Sequence, residues 1–435
     1  MSVAPINLTD LKRLSIEKAH QVAAEHGIEN TGSMKKQDLI FHIVRRLAQN
    51  STEVHGEGVL ELMQDGGYGF LRSPLSSYHA GADDIYVPPA HIRRFQMRTG
   101  DTITGIIRPP EKGERYFALV KAEKINGDQP EKNRKKILFR DLTAEFPNEW
   151  LRLESGDGST EDINGRIIDL FCPIGKGQRS LIVAQPKTGK TMALINMMRR
   201  LSVHFKNIKD IGNIKKPKMI ALMIDERPEE VTEVRRSVDD EVEVVASTFD
   251  EPHSRHVQVA EMVIAKAKRM AEHKHDVIIF LDSLTRLARA YNTITPSSGK
   301  ILTGGVDSMA LQRPKRLFGA ARNISQGGSI TIIATALVDT GSKMDDFIYE
   351  EFKGTGNNEM HLSRTLAQKR IYPAINIDAS GTRRDDLIVP PEMISRHWVL
   401  RKYLQTMDDV AGMEFLISRL RKSKTNKEFF ENMKS

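Results

Sequence analysis

The stretch Leu181-Ile182-Val183-Ala184-Gln185-Pro186-Lys187-Thr188-Gly189-Lys190-Thr191-Met192-Ala193-Leu194-Ile195 decides the fold. Its first three apolar residues read as a short buried strand. The middle, with Pro186 and Gly189, reads as a tight loop, and the run after Thr191 reads as a helix. A Gly-Lys-Thr loop in that strand, loop, helix setting cradles phosphate. Gly189 lets backbone amides approach phosphate oxygens, Lys190 reaches for the outer phosphates and Thr191 for Mg²⁺, with Pro186, Lys187 and Thr188 completing the loop. Ala184 stands where the general pattern has Gly. The plainer alternative is a lysine-bearing turn at a helix start.

Working outward, strand-length apolar runs alternate with helical stretches after Gly165: Leu181 to Val183, Met219 to Ile224, Val242 to Val245, Val277 to Leu281 and Ile330 to Ala334. Such alternation predicts an α/β domain with a mostly parallel sheet. Two acids sit at the ends of these runs. Asp282 closes 277–281, where a carboxylate orients Mg²⁺ or, equally, caps the helix that Ser283 begins. Glu226 precedes Arg227 and Pro228, and it reads either as a first-turn acid favoured by the helix dipole or as the group that orients and deprotonates an attacking water. Three such parts in order point to NTP hydrolysis.

Upstream the character changes twice. Residues 7–50 are helical in pattern, with caps expected at Thr9, Ser15 and Ser33, a stop at Gly27, and apolar spacing through Leu39, Ile40, Ile43, Val44 and Leu47. From 53 to 126 short alternating runs broken by Gly, Pro and Asp predict a five-stranded barrel of the OB type. Tyr68 and Phe70, two apart, share a strand face beside glycines, which makes a base-stacking platform. Tyr86 and Tyr116 add π surface, with Arg72 and Arg115 near for phosphate or guanidinium stacking. Each ring taken singly is also ordinary barrel core. Gln129 to Lys136, with Pro130 and four basic residues, reads as a linker. The expected organisation is a helical subdomain at 1–52, a barrel at 53–127, a connecting segment at 128–164 and an α/β domain at 165–435.

Composition narrows the class. The chain has 435 residues, 39% hydrophobic and 28% charged, enough for more than one packed core. No apolar run reaches membrane-spanning length, and the start lacks a secretory apolar region, so neither export nor a membrane partner is expected. The single cysteine, Cys172, forms neither an internal disulfide nor a thiolate cage, which fits a reducing cytoplasm. The net charge of +8 favours an anionic partner. Residues 1–150 hold 21 basic and 20 acidic side chains, so the excess lies later; within 53–127 the count is 9 against 10, and a nucleic-acid site there relies on stacking rather than a broad field.

Three further stretches carry a resemblance: Asp225 to Glu233, Ser283 to Asn292, and Glu350 to Asn357. Along nearly its whole length the chain resembles the Rho family of transcription termination factors. The resemblance implies a hexameric ring of RecA-type P-loop motors behind a cold-shock-like OB barrel, fuelled by ATP with Mg²⁺. It implies RNA-dependent hydrolysis, 5′ to 3′ translocation on nascent single-stranded RNA and unwinding of RNA–DNA hybrids, with the RNA polymerase elongation complex and Nus-type elongation factors as partners. Position by position it makes Lys187, Lys190 and Thr191 the P-loop residues, Asp282 the Mg²⁺ carboxylate and Glu226 the catalytic glutamate, with Arg227 beside the nucleotide. Arg383 matches an arginine finger inserted from the neighbouring subunit, Arg370 a second arginine of that seam, and Tyr372 an aromatic stacked on adenine. Lys300 and Lys343 match two central-channel loops that grip RNA. Tyr68, Phe70, Tyr86, Glu114, Arg115 and Tyr116 match a primary site for pyrimidine-rich RNA. Gly66-Gly67-Tyr68 has one more glycine than the family run, and 205–217 is longer than usual. The rivals are another RecA-type ring motor, such as a rotary ATP synthase subunit or DNA helicase, and a non-catalytic RNA-binding protein with a relic P-loop.

Overall fold

The computed structural model describes residues 6–29, 31–48, 53–63, 67–206, 208, 215–325 and 327–433. They fall into two compact units, 1–141 with 261–273, and 142–260 with 274–435. Gly66 and most of the long stretch 207–214 lie outside the described residues.

The first unit opens with helices Leu8–Arg13, Ile16–Glu25 and Lys36–Ala48. Ser15 caps the second as expected, accepting from the Lys18 amide at 3.3 Å. The first is capped by Asn7 rather than Thr9, whose own amide donates to Asn7 Oδ1 at 2.9 Å. Ser33 ends a 3-10 turn, Thr31–Ser33, instead of capping the third. Ala19, Ala23, Leu39 and Ile43 pack as the small core.

Strands Val54–Leu62, Gly69–Arg72, Ile85–Val87, Thr102–Arg108 and Phe117–Ile125 follow. They close on themselves because the first pairs with both the second and the fourth. Among the described residues each of these five strands thus has a partner on both sides. Along Thr102–Arg108 every second residue is buried, the period a barrel wall demands. Gly105 lies where a Cβ would stand 2.1 Å from the Lys121 carbonyl oxygen, so this crossing admits no side chain.

The second unit is built on a sheet in the order Val242–Thr248, Lys218–Glu226, Asp276–Asp282, Ser329–Leu337, Arg179–Ala184, Asn358–Leu362, Ile375–Thr382. All neighbours along it are parallel except the last pair. Asp276–Asp282 is buried from Val277 onward, as a strand covered on both faces must be. The runs Val277 to Leu281 and Ile330 to Ala334 are adjacent, in register from Val277 opposite Ile330 to Leu281 opposite Ala334.

Within 128–164, Pro130–Lys135 forms a 3-10 helix with Asn133 buried, and Ala144–Glu145 adds a short strand. Helix Thr160–Phe171 buries Arg166 completely. Its guanidinium donates to the carbonyls of Leu420 (3.0 Å), Ser423 (2.7 Å) and Thr425 (2.9 Å) and to Asn426 Oδ1 (3.1 Å), tying that helix to the C-terminal segment. Cys172 is buried, and burial pushes its thiol up to about 12, leaving it unreactive. Among the described residues no helix is long and apolar enough to cross a membrane.

Candidate functional site

Parallel strands deliver their C-terminal ends to one edge, and ligands of such sheets bind there. The P-loop strand Arg179–Ala184 runs into Gln185–Gly189, and helix Lys190–Phe205 starts at once. Lys187 and Gly189 have φ of +65° and +90°, a left-handed backbone that turns amides inward, and at Gly189 no Cβ pays for it. Thr188 Oγ1 donates to the Gln185 carbonyl at 2.8 Å and braces the turn.

Asp282 and Glu226 terminate neighbouring strands, and both meet Lys190. Its Nζ lies 2.9 Å from Glu226 Oε1 and 2.7 Å from each Asp282 carboxylate oxygen. Thr191 Oγ1 is 3.2 Å from Asp282 Oδ2. The alternatives left open by the sequence close here. The cap of helix Leu284–Ile294 is Ser283, which accepts from the Arg286 amide, so Asp282 is free of that duty. Glu226 ends its strand, while the first-turn acids of helix Pro228–Ser237 are Glu229 and Glu230.

Both carboxylates are almost wholly buried. Burial pushes the Glu226 carboxyl above the usual range and Asp282 pushes the same way, against the pull of Lys190. For Lys190, burial pulls the ammonium down, but Asp282 and Glu226 more than reverse it and hold the pKa above its ordinary value. Thr191 Oγ1 beside an Asp282 oxygen is a donor set that fits Mg²⁺, a hard ion that takes one or two protein oxygens and completes its shell with phosphate and water.

Beside the loop a cavity of about 360 Å³ is lined by Thr160, Gly189, Met192, Leu362, Tyr372 and Pro373, among others. The exposed Tyr372 ring reaches 3.8 Å from where a Gly189 Cβ would stand. Arg227 is exposed next to Glu226, 3.7 Å from Glu230. Arg370 and Arg383 are also exposed. Neither is hydrogen-bonded or ion-paired to Lys190, Thr191, Glu226 or Asp282 among the described residues. Lys300 is exposed on a loop, whereas Lys343, expected on a loop, is exposed as the first residue of helix Lys343–Lys353; the two segments meet, since Gly304 packs against the backbone of Lys343 and Met344. Arg289, on the helix that follows Asp282, holds the first turn of helix Lys343–Lys353 through Asp345 at 2.6 and 2.7 Å.

On the barrel, Phe70 stands opposite Tyr86 across paired strands. Ring centroids lie 4.9 Å apart for Phe70 and Tyr116, 6.0 Å for Phe70 and Tyr86, 5.9 Å for Tyr68 and Phe70, and 5.7 Å for Tyr68 and Tyr86. All four are half-buried, so they form one patch rather than core. Glu114 accepts from both terminal nitrogens of Arg108 at 2.6 and 2.8 Å, which holds its carboxyl down to about 2 and fixes the loop before Tyr116. Arg115 is exposed. Arg72 differs from expectation as a phosphate contact: it is buried, paired with Glu61 at 2.7 Å and with Asp84, and its guanidinium lies 5.0 Å from the Phe70 ring centroid. With its donors committed to carboxylates, it supports the ring from beneath.

Sequence reading missed Thr335 and Arg286. Thr335 Oγ1 donates to Asp282 Oδ1 at 2.7 Å from the neighbouring strand, and Arg286 lies 3.8 Å from Glu226 Oε2. Arg286 falls in the quoted stretch 283–292, four residues after Asp282, so its position one helical turn on was an available signal. Thr335 had none, being joined to Asp282 only by strand pairing.

Comparison with known proteins agrees with this arrangement. Residues 165–382 match the nucleotide-binding domain of the ATP synthase alpha/beta family, 56–131 the RNA-binding domain of Rho termination factor and 10–52 its N-terminal domain. Transcription termination factor Rho of Pseudomonas aeruginosa is 59% identical over 429 residues, covering 99% of this chain and 100% of that protein. The Escherichia coli K12 and Salmonella typhimurium proteins of the same name are 58% identical with the same coverage. Among solved structures, an ATPase of a bacterial type III secretion system superposes with a TM-score of 0.52 at 23% identity, over 69% of this chain and 78% of its own, which speaks for the fold alone. A P-loop ATPase sheet and an aromatic-faced barrel in one chain, matched end to end by these relatives, place the chain in the Rho family of transcription termination factors.

Proposed function

We propose that this ATP-hydrolysing, RNA-binding chain works as one subunit of a hexameric ring that terminates transcription in the cytoplasm. The ring takes up pyrimidine-rich nascent RNA on the barrel, pulls it 5′ to 3′ and strips it from the DNA template at the RNA polymerase elongation complex, with Nus-type factors assisting. The observation that carries the reading is the meeting of Lys190 with Glu226 and Asp282, 2.7 to 2.9 Å apart, at the ends of adjacent parallel strands. A decayed, purely RNA-binding relic would have no reason to keep two buried carboxylates around one lysine.

ATP with Mg²⁺ supplies the phosphoanhydride to be cleaved and part of the charge that neutralises it. The chain's own groups do the rest. P-loop amides and Lys190 hold the outer phosphates, and Thr191 and Asp282 present oxygens for the ion. Glu226 orients the attacking water and takes its proton at a carboxylate oxygen; burial raises its proton affinity, which suits a base working near neutrality. Tyr372 seats the base. Arg370 and Arg383, exposed and making no hydrogen bond or ion pair to Lys190, Thr191, Glu226 or Asp282 of their own chain among the described residues, reach the site of the next subunit, where a guanidinium stabilises charge on the transferring phosphoryl. The patch of Tyr68, Phe70, Tyr86 and Tyr116 stacks bases, Arg115 and Glu114 flank it, and Lys300 and Lys343 grip backbone in the central channel.

The test is hydrolysis measured with poly(C), poly(A), duplex DNA and no polymer. Strong stimulation by poly(C) alone is expected. Equal rates with every polymer would favour a ring motor of another kind and end the RNA-driven reading.

A further inference from the structure

A cleft of about 880 Å³ in the first unit is lined by Tyr116 but by no other ring of the stacking patch. One wall is helix Lys36–Ala48, through Phe41 and Arg45, and the other is the loop at 110–115. The helix is fixed to the barrel. Phe41 packs edge-on against Phe117, with ring centroids 5.2 Å apart, and Gly81 lies where a Cβ would stand 2.4 Å from the Gln37 amide nitrogen. Both carboxylates that line the cleft are taken by Arg108: Glu114 accepts two hydrogen bonds from it, and Glu111 lies 3.4 Å from the same guanidinium. The cations of the wall are not matched in this way. Arg45, Lys112 and Arg115 are exposed and have no ion pair or side-chain hydrogen bond among the described residues. Three such charges around one cleft repel one another and draw in an anion.

We propose that RNA stacked on the four rings runs on into this cleft, where Arg45 and Lys112, from opposite walls, hold its phosphates, so that the helical bundle is part of the RNA-binding site. The inference rests on the stacking of bases on Tyr68, Phe70, Tyr86 and Tyr116 given above. Tyr116 belongs to both surfaces, since its ring centroid is 4.9 Å from that of Phe70 and its side chain lines the cleft. A strand with a base stacked there carries its backbone past the mouth of the cleft. Among the described residues Phe41 is the one other ring in the wall, and its edge contact with Phe117 engages it, so the cleft offers charge without stacking. Contacts of that kind grip backbone and carry no base preference.

Competition against labelled oligo(C), read by anisotropy with the full chain, tests this with the dinucleotide CC and with CC extended at either end by four adenosines. The unaltered protein is expected to bind one extended oligomer about tenfold more tightly than CC, as an added charge-assisted hydrogen bond does. Arg45→Ala should remove that gain and leave CC unchanged. It should also lower the slope of log affinity against log salt by about 0.7, the release that one single-strand phosphate contact gives. Arg45→Lys should keep most of the gain, and Lys112→Ala should repeat the loss from the other wall. Four results would each overturn the assignment: no gain from either extension in the unaltered protein, equal weakening of CC and the extended oligomer by Arg45→Ala, an unchanged salt slope, or no effect of either alanine variant. Phe70→Ala separates the two layers. Loss of CC binding supports the stacking of bases whatever Arg45 does, whereas unchanged CC binding refutes the stacking and the cleft proposal with it.

Discussion

Among the described residues Lys190 is the sole cation within 3 Å of two carboxylates that are 1% and 0% exposed, so Lys190→Ala has a consequence beyond lost catalysis. Removing one partner of a buried charge cluster costs about 3–5 kcal/mol, since the remaining charges stay desolvated and uncompensated. For a unit of this size each kcal/mol moves the melting point by about 2–4 °C, so the nucleotide-free variant should melt roughly 10 °C below the parent. The loss should depend on pH. The Glu226 carboxyl is already raised in the folded protein by burial and by Asp282, and Lys190 is the main group opposing that rise. A raised carboxyl binds its proton more tightly folded than unfolded. Its contribution is therefore complete below the ordinary carboxylate pKa and is lost as pH climbs through the folded value. Without Lys190 that folded value climbs further, so the deficit should be small near about pH 6 and large near about pH 8. Lys190 itself, held above the ordinary lysine value, does not titrate in that window. Differential scanning fluorimetry at fixed protein concentration and without nucleotide reads the shift, and Glu226→Gln in the same background should recover most of it. A variant melting within about 2 °C of the parent at both pH values would refute the reasoning, because the carboxylates would then be solvated rather than sealed.

Phe70→Ala and Tyr116→Ala should each weaken oligo(C) binding by about 1–3 kcal/mol in an anisotropy titration, with ATP binding intact; unchanged affinity would return these rings to the barrel wall. Arg383→Ala should cut turnover by roughly 10³-fold while nucleotide binding survives. Mixing that variant with Lys190→Ala should restore some activity, because a seam with an intact Lys190 on one side and an intact Arg383 on the other can form. No recovery on mixing, in rings shown to exchange subunits, would place Arg383 in its own subunit's site.

Most of the arrangement around the P-loop was legible because it is local. Strand, loop and helix follow one another through Leu181 to Ile195, and Asp282 and Glu226 each close an apolar run, so parallel pairing had to bring them together. What escaped depends on neighbours distant in sequence. Thr335 reaches Asp282 only across a strand pair. Arg72 shows the reverse error: an arginine two residues from a stacking ring suggests a phosphate contact, and only the fold reveals Glu61 and Asp84 beside it. Arg370 and Arg383 could be singled out by family resemblance alone, since within one chain they stand as ordinary surface cations.

The clamp on Arg166 sets an order of events on the ribosome. Its acceptors lie at Leu420, Ser423, Thr425 and Asn426, so helix Thr160–Phe171 keeps a buried guanidinium with, among the described residues, only the Glu154 carboxylate, at 3.9 Å, beside it until residues 420–426 are made. The barrel unit, by contrast, has its final segment once residue 273 has emerged. The unit that carries the RNA-binding barrel thus has all its segments before the ATPase unit does, and a product truncated between residues 273 and 420 is expected to bind RNA without hydrolysing ATP.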